Sequence, residues 1–108
     1  MLSVLLEFSM FPTSDDGREG SSVSKKVAKV IDVIDKSGVP YQLTPMGTII
    51  EAKSMKEALG IIELAYEQLD DCERVYSSLK FDIRKNCENR LKSKIESVEK
   101  VLNREINH

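Results

Sequence analysis

Pro45-Met46-Gly47 separates two short strand-like runs, Val39 to Thr44 and Thr48 to Ala52, and this punctuation narrows the possible folds more than any other stretch. Proline supplies a fixed φ, and the glycine is free to adopt φ > 0, so the two runs should fold on each other as a hairpin. A helical pattern lies on either side. Upstream, Val23, Val27, Val30, Ile31 and Ile34 recur at intervals of three and four, which predicts a helix from about Ser22 to Ser37. Ser21 or Ser22 would cap its start and Gly38 would stop it. Downstream, Ser54 and Glu57 make a capping-box pattern ahead of a second helix whose expected buried stripe is Met55, Leu59, Ile62, Tyr66 and Leu69. Gly60 within it is expected to mark a close approach to the sheet.

Strict alternation frames this central block. From Leu2 to Phe11, Val4, Leu6, Phe8 and Met10 share one side, while Ser3, Leu5, Glu7, Ser9 and Phe11 share the other. Arg74 to Arg84 alternates again, with Val75, Ser77, Leu79, Phe81 and Ile83 on one face. A third helical pattern, about Cys87 to Ile106, carries Leu91, Ile95, Val98 and Leu102, with Val101 beside them. The order β-α-β-β-α-β followed by a helix predicts an α+β, ferredoxin-like antiparallel sheet with an extra C-terminal helix, the first and third strands being central. The apolar rows of the first and fourth strands should meet the helices. The opposite face mixes Leu5, Phe11 and Tyr76 with Glu7, Lys80 and Asp82, and is too apolar to stand open, so it is expected to meet another subunit. The terminal helix would either cover that face or pair with a partner helix.

At 108 residues the chain is expected to be one domain, 1–108. Its 41% hydrophobic and 31% charged residues place it among folded proteins. A formal net charge of -2 argues against a sequence-independent nucleic-acid binder, which needs a cationic surface. The third strand has no stacking aromatic and the fourth lacks the glycine-aromatic RNP signature, so an RNA-binding sheet is disfavoured too. Met1 to Pro12 carries Glu7 and no basic leader, and no run approaches a membrane span, so the expected location is cytoplasmic. Cys72 and Cys87 have no metal-ligand spacing, and the single histidine is His108. No metal or cofactor is expected, and reduced structural thiols are preferred over a disulfide.

Among polar groups, Glu7, Lys80 and Asp82 should lie close together on neighbouring strands, either as cross-strand ion pairs or as a cluster that orients a ligand. Gly17 to Ser22 leads into a helix N-terminus and reads as an exposed capping loop, with Ser24 one turn in as a possible donor. Glu51 closes the third strand near Tyr41, Met46 and Thr48, a mixture suited to a small cationic heteroaromatic ligand. No nucleophile-base pair supports an enzyme.

Several segments resemble the small, YkoF-related thiamine-binding protein family of ferredoxin-like domains. They are Ser37-Gly38-Val39-Pro40-Tyr41, Pro45-Met46-Gly47-Thr48 through Glu51, Arg74-Val75-Tyr76, and Leu79-Lys80-Phe81-Asp82 with Arg84, together with Gly20 to Ser24 and Lys94 to Val98. The resemblance implies a non-enzymatic protein that binds thiamine or a related pyrimidine, built as a homotetramer of dimers whose sheets associate. It carries over ligand-binding positions Ser24, Tyr41, Met46, Gly47, Thr48, Glu51, Lys80 and Asp82. In that reading Glu51 or Asp82 meets the cationic or amino-bearing ring, Ser24 and Thr48 hydrogen-bond, and Met46 and Tyr41 contact the ring. The Asp-Asp-Gly-Arg-Glu loop departs from the family's shorter link. The alternative is a structural or regulatory homo-oligomer that recognises protein through its sheet face.

Overall fold

The computed structural model describes residues 1–13 and 20–108. Its elements are β1 (Leu2–Pro12), α1 (Gly20–Ser37), β2 (Tyr41–Thr44), β3 (Gly47–Ala52), α2 (Met55–Glu67), β4 (Val75–Lys85) and α3 (Arg90–Leu102). The strands form one antiparallel sheet in the order β2-β3-β1-β4. This is the expected ferredoxin-like α+β arrangement, with β1 and β3 central. Most of the loop between β1 and α1 lies outside the described residues. α1 starts at Gly20, so Ser21 and Ser22 lie within the helix and not at its cap, and the cap position itself falls outside the described residues.

The even positions of β1 deliver the core. Val4, Leu6, Phe8 and Met10 are buried against Val30 and Ile34 of α1, Ile50 and Ala52 of β3, and Ala58, Ile61 and Ala65 of α2. Register fixes this, because Leu6 stands opposite both Ile50 and Phe81, so the even side chains stay on the helix side along the strand.

The structure corrects three expectations. The buried stripe of α2 is Ala58, Ile61 and Ala65, leading to Leu69, whereas Leu59 and Tyr66 are about half exposed and Met55 and Ile62 are only partly covered. The helix turns its small alanines to the sheet, which lets the backbones approach, and leaves its larger apolar residues on a flank. On β4 only Val75 and Phe81 pack against the core, while Leu79 and Ile83 are exposed. The helices sit on β1 and β3, so the fourth strand projects beyond their cover. The glycines also act for other reasons than expected. Gly60 has open space where a Cβ would point, so no close approach requires it. Gly47 is not among the residues with positive φ; its Cβ would instead lie 2.8 Å from the Phe8 carbonyl oxygen. Among the described residues the positive-φ glycine is Gly38, at 81°, just past the end of α1.

Side-chain oxygens tie the turns. Thr44 Oγ1 accepts from the N–H groups of Met46 at 3.2 Å and Gly47 at 3.1 Å, and donates to the Gly47 carbonyl at 2.8 Å. At the start of α2, Ser54 Oγ accepts from Glu57 N at 3.0 Å, while Glu57 Oε1 accepts from Lys53 N at 3.1 Å. Among the described residues no helix is long and apolar enough to cross a membrane.

Two glycine substitutions should therefore move stability in opposite directions. Gly47→Ala forces the hairpin off β1 and is expected to cost about 1 to 3 kcal/mol, the range for overpacking. Gly60→Ala meets no obstacle and is expected to gain about 0.5 to 1 kcal/mol. Urea unfolding of the two variants checks both signs.

Candidate functional site

α1 and the β2–β3 hairpin enclose a groove on the helix side of the sheet. Its hairpin end is a cavity of about 380 Å³ lined by Phe8, Met10, Val30, Pro45, Gly47 and Thr48, with Met46 at its rim. It continues along α1 into a shallower cavity of about 630 Å³, which adds Ser24, Ala28, Asp32, Asp35 and Tyr41. Val27, Ile31 and Leu43 line both parts. Five of the eight positions expected to bind a ligand thus border one groove, namely Ser24, Tyr41, Met46, Gly47 and Thr48.

Local geometry explains the placement. Leu43 pairs with Thr48, and Thr48 with Phe8, so these three side chains share the helix side. Tyr41 pairs with Ile50 and points the same way, where its hydroxyl donates to Asp35 Oδ1 at 2.8 Å. That hydrogen bond, followed by burial and the carboxylate's charge, raises the phenol's pKa and keeps it a donor. Asp32 accepts from Lys36 Nζ at 2.8 Å, so its charge already has a cationic partner within α1. Asp35 borders the groove with a neutral phenol as its side-chain hydrogen-bond partner.

Glu51, Lys80 and Asp82 are on the other face. Asp82 and Glu51 flank Leu5 at the same level of the sheet, and Lys80 faces Glu7. Glu51 is buried and both its oxygens are engaged. Oε2 accepts from Ser3 Oγ at 2.6 Å and from Arg90 N at 3.0 Å, and Oε1 accepts from Leu91 N at 3.2 Å. The carboxylate therefore caps α3 from another element, in place of the helix's own cap residue Asn89, which has φ 57° and makes no side-chain capping bond. The Arg90 guanidinium closes the network: Nε donates to Ser3 Oγ at 2.9 Å, Nη2 to the carbonyls of Ser3 and Asp82, and Nη1 pairs with Asp82 Oδ2 at 3.0 Å. α3 has no buried residue of its own, and this first turn is its anchor. Asp32, Asp35 and Arg90 had no distinguishing signal in sequence, since surface charges on helices look alike until their neighbours are known.

The domain is ferredoxin-like, and its groove is part apolar and part acidic. The chain belongs to the thiamine-binding protein family, whose model matches residues 6–99. It is 36% identical over 104 residues to a UPF0045 protein of Methanocaldococcus jannaschii, covering 91% of this chain and 94% of the relative. A UPF0045 protein of Methanothermobacter thermautotrophicus is 33% identical over 88 residues, covering 80% of this chain and 89% of the relative. The crystal structure of a hypothetical M. jannaschii protein superposes with a TM-score of 0.72 at 36% identity, covering 91% of this chain and 97% of that one. A Thermotoga maritima structure described as a putative thiamine biosynthesis/salvage protein shares the fold, with a TM-score of 0.70 at 21% identity, and covers 89% of this chain and 98% of that one.

Burial pushes the Glu51 carboxyl up. The Ser3 hydroxyl, the two helix N–H groups and the Arg90 charge outweigh it and hold the carboxyl below its ordinary value. A folded-state pKa that is lowered contributes stability fully present above the unfolded value and lost as pH falls through the folded one. Acidification through that range should release α3 before the sheet unfolds. Glu51→Gln should remove this acid dependence and cost about 1 to 3 kcal/mol at neutral pH. Amide hydrogen exchange at Arg90 and Leu91 across an acid titration reads both effects.

Proposed function

We propose that this chain is a non-enzymatic binding protein for thiamine or a related pyrimidine, and that it works as a homotetramer built from dimers. The observation that carries the ligand reading is the groove between α1 and the hairpin. Its wall of Val27, Ile31, Leu43 and Phe8 offers apolar contact, Met46 a polarizable sulfur, and Asp35 a carboxylate held in place by Tyr41. Such a lining suits a flat heteroaromatic cation: the rings lie on the apolar wall and the positive or amino-bearing ring meets Asp35. Ser24 and Thr48 supply hydrogen-bonding groups. Family membership supports the same ligand class. In this reading Asp35 takes the role that Glu51 or Asp82 was expected to fill, because Glu51 is committed to α3 on the opposite face and Asp82 lies on that same face, away from the groove.

Calorimetry with thiamine, its phosphates and the free aminopyrimidine tests the proposal. Heat of binding is expected with at least one of them, and none at millimolar ligand overturns it. Asp35→Asn should weaken binding about tenfold, the loss expected for one charge-assisted hydrogen bond. Asp82→Asn should leave affinity unchanged.

A protein-recognition reading draws on the other face of the sheet. Phe11 and Tyr76 form a ring pair there with centroids 5.8 Å apart, both exposed, near Ser9 and Ser78 and away from α3. In the tetramer this patch is where dimers meet. Tyr76→Asp should then halve the mass seen by light scattering and leave ligand affinity intact. An unchanged mass assigns the patch no part in assembly.

A further inference from the structure

We propose that the outer face of α2 is a docking surface for a different protein, taking a basic segment whose arginine or lysine enters a notch at Gly60. None of the residues that line the notch borders the ligand groove.

Gly60 sits in the middle of α2, where glycine costs about 1 kcal/mol relative to alanine. Nothing inside the molecule requires it. Its φ is not positive, and a Cβ there would meet no atom within 4 Å. On the outside of the helix, the missing side chain leaves a notch of about 400 Å³ lined by Glu57, Gly60, Ile61, Glu63, Leu64 and Glu67. Helix spacing sets its walls. Glu57 and Glu63 stand three positions before and after Gly60 and Leu64 four after, so all three adjoin it on the surface, and Glu67 follows Glu63 by one more turn. Ile61 is buried against the core, whereas Leu64 is exposed, as are Leu59 and Tyr66 elsewhere on the helix.

Charge selects the occupant. From Glu57 to Glu73 the chain has six acidic residues and no lysine or arginine, although its formal net charge is only -2. Acid is thus concentrated on α2 and the loop after it, and the remainder is net basic. Asp71 pairs with Lys26, and Glu57 Oε1 accepts from the Lys53 N–H at 3.1 Å. Glu63 and Glu67 make no ion pair among the described residues. Lys56, four positions before Gly60, does not line the notch. Nucleic acid and anionic membranes carry the wrong sign for this surface, and a two-fold pairing of the face with itself would set glutamates against glutamates. Among the described residues no three acidic, histidine or cysteine side chains converge to hold a metal. A protein segment with an arginine or lysine between apolar side chains matches every feature. Its aliphatic stem would lie along Leu64 above Ile61, its charge would meet the glutamates, and any side chain at position 60 would stand in its way. Arginine fits better than lysine, because its planar fork can serve two carboxylates at once.

Fluorescence anisotropy tests this with a labelled short amphipathic peptide of arginine and leucine, set against its counterpart carrying glutamate for arginine. The arginine peptide should bind and the glutamate peptide should not. Gly60→Leu fills the notch without changing charge, and should weaken binding about tenfold with far-UV circular dichroism retained. Glu63→Lys/Glu67→Lys should weaken it about a hundredfold, whereas Glu88→Lys/Glu96→Lys, the same change of charge away from α2, should stay within about twofold of the wild type. An arginine peptide that does not bind at millimolar concentration, unaltered binding to folded Gly60→Leu, or equal losses from the two charge reversals overturns the proposal. The charge reversals decide it if Gly60→Leu fails to fold. Displacement of the peptide by thiamine also overturns it, by placing the peptide in the groove. So does a wild type whose mass in light scattering grows with concentration and falls on Glu63→Lys/Glu67→Lys, since a second copy would then be the occupant.

Discussion

β1 lies between β3 and β4 and hydrogen-bonds to both, and the rest of the molecule takes its coordinates from that pairing. One parity of its side chains fills the core and the other faces away, so a slip of a single residue would exchange the two sets. Each feature of functional interest is referred to it. Phe8 and Met10 floor the groove, Ser3 hydrogen-bonds Glu51 and Arg90, and the Phe8 carbonyl forbids a side chain at position 47. The hairpin is thus seated by contact with β1, with glycine chosen for proximity and not for an unusual backbone angle.

What is legible in this sequence is what repeats locally. Alternation in β1 and β4, the three-and-four spacing in α1, the Ser54–Glu57 cap and the turn at Pro45 each span a few residues. Together they suffice for the element order and hence the sheet order. Features that depend on distant partners are hidden. Glu51 reads as a carboxylate at a strand end until α3, 39 positions away, delivers the N–H of Arg90 to it. Asp35 reads as a solvated helix residue until the chain reverses at Gly38 and brings Tyr41 back beside it. The orientation of α2 is misjudged because spacing alone ranks Leu59 and Tyr66 above Ala58 and Ala65. Packing reverses the ranking, since only small side chains allow the helix to lie close to β1 and β3. Five of the expected ligand positions fall on one groove and three do not, and the dividing line is strand parity: Glu51, Lys80 and Asp82 share the face opposite to Thr48.

Strand order adds a second separation to that of the two faces. The groove opens beside β2, at one edge of the sheet, on the side of α1. β4 is the opposite edge, and the Phe11–Tyr76 patch is on the opposite face. The groove at Asp35 and the β4 edge therefore have two strands, β3 and β1, between them. Glu51 fits the same division. A carboxylate buried under α3 with its oxygens satisfied would have to surrender three hydrogen bonds, and the helix with them, before meeting a ligand. Asp35 accepts one side-chain hydrogen bond among the described contacts, from the Tyr41 hydroxyl, and borders the open groove. The acid that holds a helix is buried with both oxygens filled, and the acid beside the groove has acceptor capacity to spare.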